Sequence, residues 1–291
     1  MSSSIFSISK RTDGVAVLRM DDPAEPMNTL KVDFRQELDA ALDVLSSDDG
    51  VKAIVFAGKK DSFIAGADIS MLESVQTPEE GEAISVNGQK TMDAIAAFPK
   101  PIIAAIHGVA LGGGLATALA CHGRVASDSP STKLGLPESQ LGLLPGAGGT
   151  QRLPRLIGAQ AALDMMLTGR PASARKALER GLVDEVVPES ILIDVAAEHA
   201  LRRLGRRPEQ NGLMEQLRDK DALTELALTK NPVGRMFFFD QARKQLHKQT
   251  RGNYPAQDKI IDCVRVGLER GWRAGLQAEA KGFAELLVSP E

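Results

Sequence analysis

IIAAIHGVALGGGLATALACHGRVASDSPSTKLGLPESQLGLLPGAGGTQR, running from Ile102 to Arg152, is the stretch from which the rest of the chain is read. It begins with an apolar run of β type, Ile102 to His107, that stops at Gly108. Gly112-Gly113-Gly114 then precede a helical pattern from Leu115 to Cys121, so the local order is strand, loop, helix N-terminus. Glycines at such a junction let a ligand reach bare backbone. The first amides of a helix have no acceptor inside it and point at whatever negative charge arrives. A second glycine cluster, Gly146-Ala147-Gly148-Gly149, follows a lone carboxylate, Glu138.

Nucleotide sites also place glycines between a strand and a helix, but these clusters do not match them. A dinucleotide fingerprint starting at Gly112 needs glycine where Thr117 stands, and one starting at Gly146 needs it at Gln151. No Gly-Lys-Ser/Thr follows either cluster, so a phosphate-binding P-loop is excluded as well. The apolar run is broken by Pro101, His107 and glycines and does not read as a membrane span. His107 and His122 lack partners at metal or triad spacing and read as structural, and no Gly-x-Ser-x-Gly occurs.

Outward from this centre, Ile5 to Lys10 and Val15 to Met20 read as a hairpin turned at Asp13-Gly14. Leu30, Phe34, Leu38, Leu42 and Leu45 recur at helical spacing, and Ala53 to Ala57 is a short buried strand. Glu79 to Ala97 is a second amphipathic helix, closed by Pro99 and Pro101. Strands alternating with helices predict an α/β layered domain. After Ser190 the patterns are helical: Ile191 to Leu204, Leu213 to Leu228 and Asp258 to Glu269, with Phe237-Phe238-Phe239 read as helix packing. The 291 residues are 43% hydrophobic and 25% charged, with a net charge of −3, which gives no electrostatic footprint for nucleic acid. Met1 to Lys10 carries no secretory signal, and the two cysteines, Cys121 and Cys263, read as reduced thiols, so a cytoplasmic setting is expected.

Four motifs in order carry a resemblance: Phe63-Ile64-Ala65-Gly66-Ala67-Asp68-Ile69, Gly112-Gly113-Gly114, Gly135-Leu136-Pro137-Glu138 and Pro145 to Arg152. Together they resemble the crotonase, or enoyl-CoA hydratase/isomerase, superfamily. Within it, Glu25 to Leu30 and Gln249 to Ala256 look like the amino-terminal part of the bacterial multifunctional fatty-acid oxidation α subunits, above all the anaerobic form. The resemblance implies a right-handed spiral of ββα units over residues 1–188 and a helical part over 189–291 leading to a linker, with a dehydrogenase half absent from this chain. It implies an enoyl-CoA or acyl-CoA thioester as ligand and no separate cofactor or metal. A dehydrogenase domain, a thiolase subunit and assembly with further copies are the partners it suggests for the full-length protein.

Carried over residue by residue, the family's oxyanion-hole amides fall on Ala67 and Gly113 and its second glutamate on Glu138. Gly66, Asp68, Ile69, Gly112, Gly114, Pro137 and Gly146 are the implied substrate contacts. The family's first glutamate is missing: its position holds Ala116, followed by Thr117. Alanine can neither hold water by charge nor move a proton, so impaired hydration is expected. A single-glutamate isomerase working through Glu138 and a noncatalytic acyl-CoA-binding module are the alternatives.

Overall fold

The computed structural model describes residues 4–59, 61–205, 231–250 and 255–289. They group into two compact units that interleave along the chain: 4–74, 90–136 and 171–205 in the first, and 75–89, 137–170 and the described residues from 231 onward in the second.

The first unit is built on a six-stranded sheet of order β1-β2-β3-β4-β6-β9. The expected hairpin forms, with β1 (Phe6–Lys10) antiparallel to β2 (Val15–Met20) and Phe6 opposite Met20. Parallel strands β3 (Ala53–Gly58), β4 (Ile102–Ile106), β6 (Gly123–Ser127) and β9 (Glu185–Val187) follow. A three-stranded sheet joins β5 (Val109–Leu111), β7 (Lys133–Gly135) and β8 (Ala172–Ser173). Isolated bridges pair Leu30 with Ala67 and Ile64 with Ala110. Each pass of the chain thus sets one strand in the large sheet and then a rung in a second row, Leu30, then Ile64 and Ala67, then β5, then β7. That repetition is the ββα spiral that the family resemblance implied.

Period-two alternation explains how the sheet is held. Val15 and Val17 of β2, Val55 of β3, Ile103 of β4 and Val125 of β6 pack with Leu192, Ala196 and Ala200 of helix α8 (Leu192–Arg202). On the following residues, Leu18, Ile54, Phe56 and Ile102 are also fully buried, and Phe56 meets Phe63 with ring centroids 5.4 Å apart. Each such side chain contributes roughly 1.5–3 kcal/mol by leaving water. Helix α1 (Phe34–Ser47) buries Phe34, Leu38, Leu42 and Leu45, the stripe its spacing predicts. The unit also holds α2 (Ile69–Glu73), the end of α3 (Pro78–Ala96), α4 (Gly113–Ala120) and α7 (Ala174–Glu179).

The second unit is helical. It contains the start of α3, a 3-10 turn at Glu138–Leu141, α5 (Gly149–Ile157), α6 (Ala159–Thr168), α9 (Pro232–Thr250), α10 (Pro255–Arg270) and α11 (Trp272–Leu287). After Val187 the described residues form no strand, as the sequence suggested, although the first unit runs on to Gly205. The predicted helix Leu213 to Leu228 lies outside the described residues. Of the aromatic triplet, Phe239 is buried, but Phe237 is 63% exposed, so packing describes only part of it. The reason is geometric: three successive residues cover about 200° of a helix, more than one buried face.

Candidate active site

In the first unit, the expected oxyanion amides belong to two strand-end segments held by the second row of pairings. Leu30 N donates to Gly66 O at 2.8 Å and Asp68 N to Leu30 O at 3.0 Å, so the peptide between them turns the amide of Ala67 away from Leu30. Gly113 is a close neighbour of both residues: a Cβ built on it would sit 2.6 Å from Leu30 Cδ1 and 3.7 Å from Ala67 N. Gly112, at φ 52° and ψ −122°, takes a conformation that only glycine adopts readily, and this starts α4 with Gly113 as its first residue. Among the described residues neither the Ala67 nor the Gly113 amide has an acceptor. Two neighbouring free N–H groups, one at a helix N-terminus, are suited to a developing oxyanion.

The surrounding residues fix this arrangement. Gly114 must be glycine because a Cβ there would collide with the carbonyl oxygen of Ile64. Gly66 stands at φ 137° and passes its carbonyl to Leu30. Asp68 caps α2, accepting from Ser70 N at 2.9 Å and Ser70 Oγ at 2.7 Å, and these hydrogen bonds hold its carboxyl below the usual range. Ile69, next to it, is 56% exposed. One turn into α4, Ala116 is only 3% exposed and Thr117 Oγ1 is turned back onto Gly113 O at 2.9 Å. Ala116 itself offers no ionisable group.

In the second unit, Pro137 precedes the 3-10 turn that begins at Glu138. The residue is half-buried, but its Oε2 is sealed from solvent and has no hydrogen-bond partner among the described residues. Desolvation pushes this carboxyl up to about 8, against a pull from its own backbone amide and with help from the charge of Glu279. Gly146 lies a few residues on, its carbonyl accepting from Ser85 Oγ at 2.6 Å and its α-carbon against the ring of Phe283.

Glu279, on α11, was not foreseen from the sequence. It is fully buried and accepts from Gly148 N at 2.5 Å, Thr150 N at 3.0 Å, Thr150 Oγ1 at 2.5 Å and Gln89 Nε2 at 2.9 Å. Burial raises its carboxyl while these hydrogen bonds pull it down. The one signal for it was an acidic residue between Leu276 and Phe283, on the face of an amphipathic helix that should be apolar.

The remaining candidates stay structural. His122 Nδ1 accepts from Ile102 N at 3.0 Å, and His107 Nδ1 meets Ser127 Oγ at 3.0 Å. Both cysteines are buried and free, and desolvation pushes the Cys121 thiol up to about 12. Among the described residues no cluster of His, Cys, Asp or Glu could hold a metal ion, and no helix is long and apolar enough to cross a membrane.

The two-row ββα spiral defines the class of fold, and it is the one shared with the solved enoyl-CoA hydratases that this chain matches. The family model of enoyl-CoA hydratase/isomerase matches residues 10–249, and the chain belongs to that family. The chain is 51% identical over 288 residues to the fatty acid oxidation complex subunit alpha of Shewanella amazonensis, a match covering 98% of this chain and 39% of the relative. Thus it spans about two fifths of the length of the curated relatives it matches. Among solved structures it resembles an enoyl-CoA hydratase of Geobacillus kaustophilus, with 30% identity, a TM-score of 0.64 and coverage of 88% and 92% of the two chains. An enoyl-CoA hydratase of Thermoplasma volcanium is 28% identical with a TM-score of 0.63, covering 79% of this chain and 94% of that one.

Proposed function

We propose that this chain binds fatty enoyl-CoA or acyl-CoA thioesters as the hydratase/isomerase part of a fatty-acid oxidation α subunit, and that it is impaired in hydration. The carrying observation is the pair of unpartnered amides at Ala67 and Gly113. They receive the negative charge that moves onto the thioester oxygen as an enolate forms. Losing one such donor costs about 3–4 kcal/mol of barrier.

Hydration adds water across the C2–C3 double bond. One group must take a proton from water and another must deliver one to C2. Glu138, raised to about 8, is protonated at neutral pH and suits delivery. Nothing at Ala116 can take the proton from water, and this is the reason for proposing impairment. No metal or separate cofactor enters this chemistry, coenzyme A being part of the substrate. The 2-enoyl thioester should bind, with weak or no hydration; calorimetry showing neither heat nor stabilisation with a long-chain enoyl-CoA would overturn the proposal.

The solitary Glu138 also favours a second reading, isomerisation of a 3-enoyl thioester, in which one carboxylate moves a proton between C2 and C4. That reaction starts from ionised Glu138, so its rate should climb as pH rises through about 8. Turnover of 3-enoyl but not 2-enoyl thioesters selects it, and saturable binding without turnover of either selects a noncatalytic module. For the full-length protein we propose a cytoplasmic setting, a dehydrogenase domain joined to this part and a thiolase subunit as partner; the relatives' name, subunit alpha of a complex, and this chain's 39% share of their length support further subunits and further domains.

A further inference from the structure

The segment that follows Glu138 is held from one face of α11. Gly282 lets Leu144 approach closely, since a Cβ on it would lie 2.9 Å from Leu144 Cδ2, and Phe283 packs on Gly146. Glu279, one turn earlier on the same face, takes the amides of Gly148 and Thr150. Gly148, at φ 85°, turns the chain so that these amides face inward. We propose that Glu279 is a positioning residue for Glu138: its buried carboxylate anchors the 144–150 segment and so fixes the turn that carries the Glu138 side chain. This rests on the reading of Glu138 as the proton-carrying group.

Burial raises the Glu279 carboxyl, and the hydrogen bonds it accepts favour its ionised form against that. Gly148 N, Thr150 N and Gln89 Nε2 can only donate to it, and Thr150 Oγ1 already accepts from Gln151 Nε2 at 2.9 Å. A protonated Glu279 would leave the Thr150 hydroxyl hydrogen with nothing to receive it, whereas the ionised form satisfies every donor. The charge sits at the N-terminus of α5, where the helix dipole favours it. The other groups around it are Arg152 on α5, whose guanidinium lies against Gly148, Cys263 on α10, whose thiol the Glu279 charge helps to raise, and neutral Gln89 on α3. The same negative charge adds to desolvation in keeping Glu138 protonated.

The test compares the chain with Glu279→Gln, Glu279→Asp and Thr150→Val, all read without substrate. Carboxyl NMR of carbon-13-labelled glutamate, with Glu138→Gln to assign the signal, follows the Glu138 titration. Amide exchange follows Gly148 and Thr150, and the single tryptophan, Trp272 on α11, reports whether that helix stays docked. Glu279→Gln should lower the Glu138 midpoint and speed exchange at Gly148 and Thr150 by about ten- to a hundredfold, the loss of a hydrogen bond to a charged group. Glu279→Asp, which keeps the charge but draws it back, should speed exchange and leave Glu138 raised. If Glu279→Gln does not fold, Thr150→Val must still speed exchange at Gly148. An unchanged Glu138 midpoint with unchanged exchange in a folded variant overturns the proposal. Turnover of enoyl-CoA tests the reaction and not the anchoring, so the two ideas fail separately.

Discussion

At Gly112–Gly114 and at Gly146–Gly149 the sequence does much the same thing: a glycine cluster at a loop's end opens a short helix. The two helix N-termini nevertheless meet different company. The first, in the first unit, keeps the Gly113 amide without an acceptor and has the free amide of Ala67 beside it. The second, in the second unit, is filled by the carboxylate of Glu279 from 131 residues away in sequence. A helix N-terminus favours negative charge wherever it occurs. Whether it serves a ligand depends on whether the chain supplies its own anion. Among the described residues the first has no such anion, and the second is spent on holding the segment after Glu138.

The sharpest way to break this contrast is Ala116→Glu. If the open N-terminus serves a thioester and lacks only a proton-taking group, a carboxylate there should raise 2-enoyl-CoA hydration by about 10²- to 10⁴-fold while the dissociation constant changes far less. A gain under about tenfold in a folded variant would mean that the site serves another reaction or binding alone.

Next comes a matched pair of threonines, both fully buried. Thr150→Val removes a hydrogen bond to the Glu279 carboxylate and should cost about 1.5–3 kcal/mol in urea unfolding. Thr117→Val removes one to the Gly113 carbonyl and should cost about 0.5–1.5 kcal/mol. Equal costs would erase the distinction between a charged cap and a helix that lacks one.

Stability against pH probes the buried carboxyl beside the filled cap. Glu138 is raised from 4.5 to about 8, so the folded chain holds a proton that the unfolded chain releases between those values. The stability this gives is complete below about 4.5 and is lost as pH rises through about 8. Glu138→Gln should flatten that decline in the urea midpoint, and an identical profile would show that the carboxyl is not raised. The smallest expected effect is none: EDTA should change neither acyl-CoA binding nor any turnover, because no metal-ligand cluster occurs among the described residues. Loss of binding with EDTA and its recovery on adding zinc or magnesium would overturn the metal-free reading.

What the sequence by itself determined was whatever depends on neighbours along the chain. Short apolar runs bounded by turn residues foretold β2, β3 and β4, and the spacing of Phe34, Leu38, Leu42 and Leu45 foretold α1. The order strand, glycines, helix gave the junction at Gly112, and the absence of a carboxylate at Ala116 was visible at once. Tertiary structure decided the rest. That Ala67 N is free follows from Leu30 pairing with the residues on either side of it, and that it lies near Gly113 follows from how the spiral stacks its rungs. The upward push on the Glu138 carboxyl comes mainly from desolvation, which no residue pattern encodes. Glu279 reads as one charge in a helix until α11 packs against α5, because hydrogen bonding between residues 279 and 148 depends on chain segments meeting in space and not on their spacing.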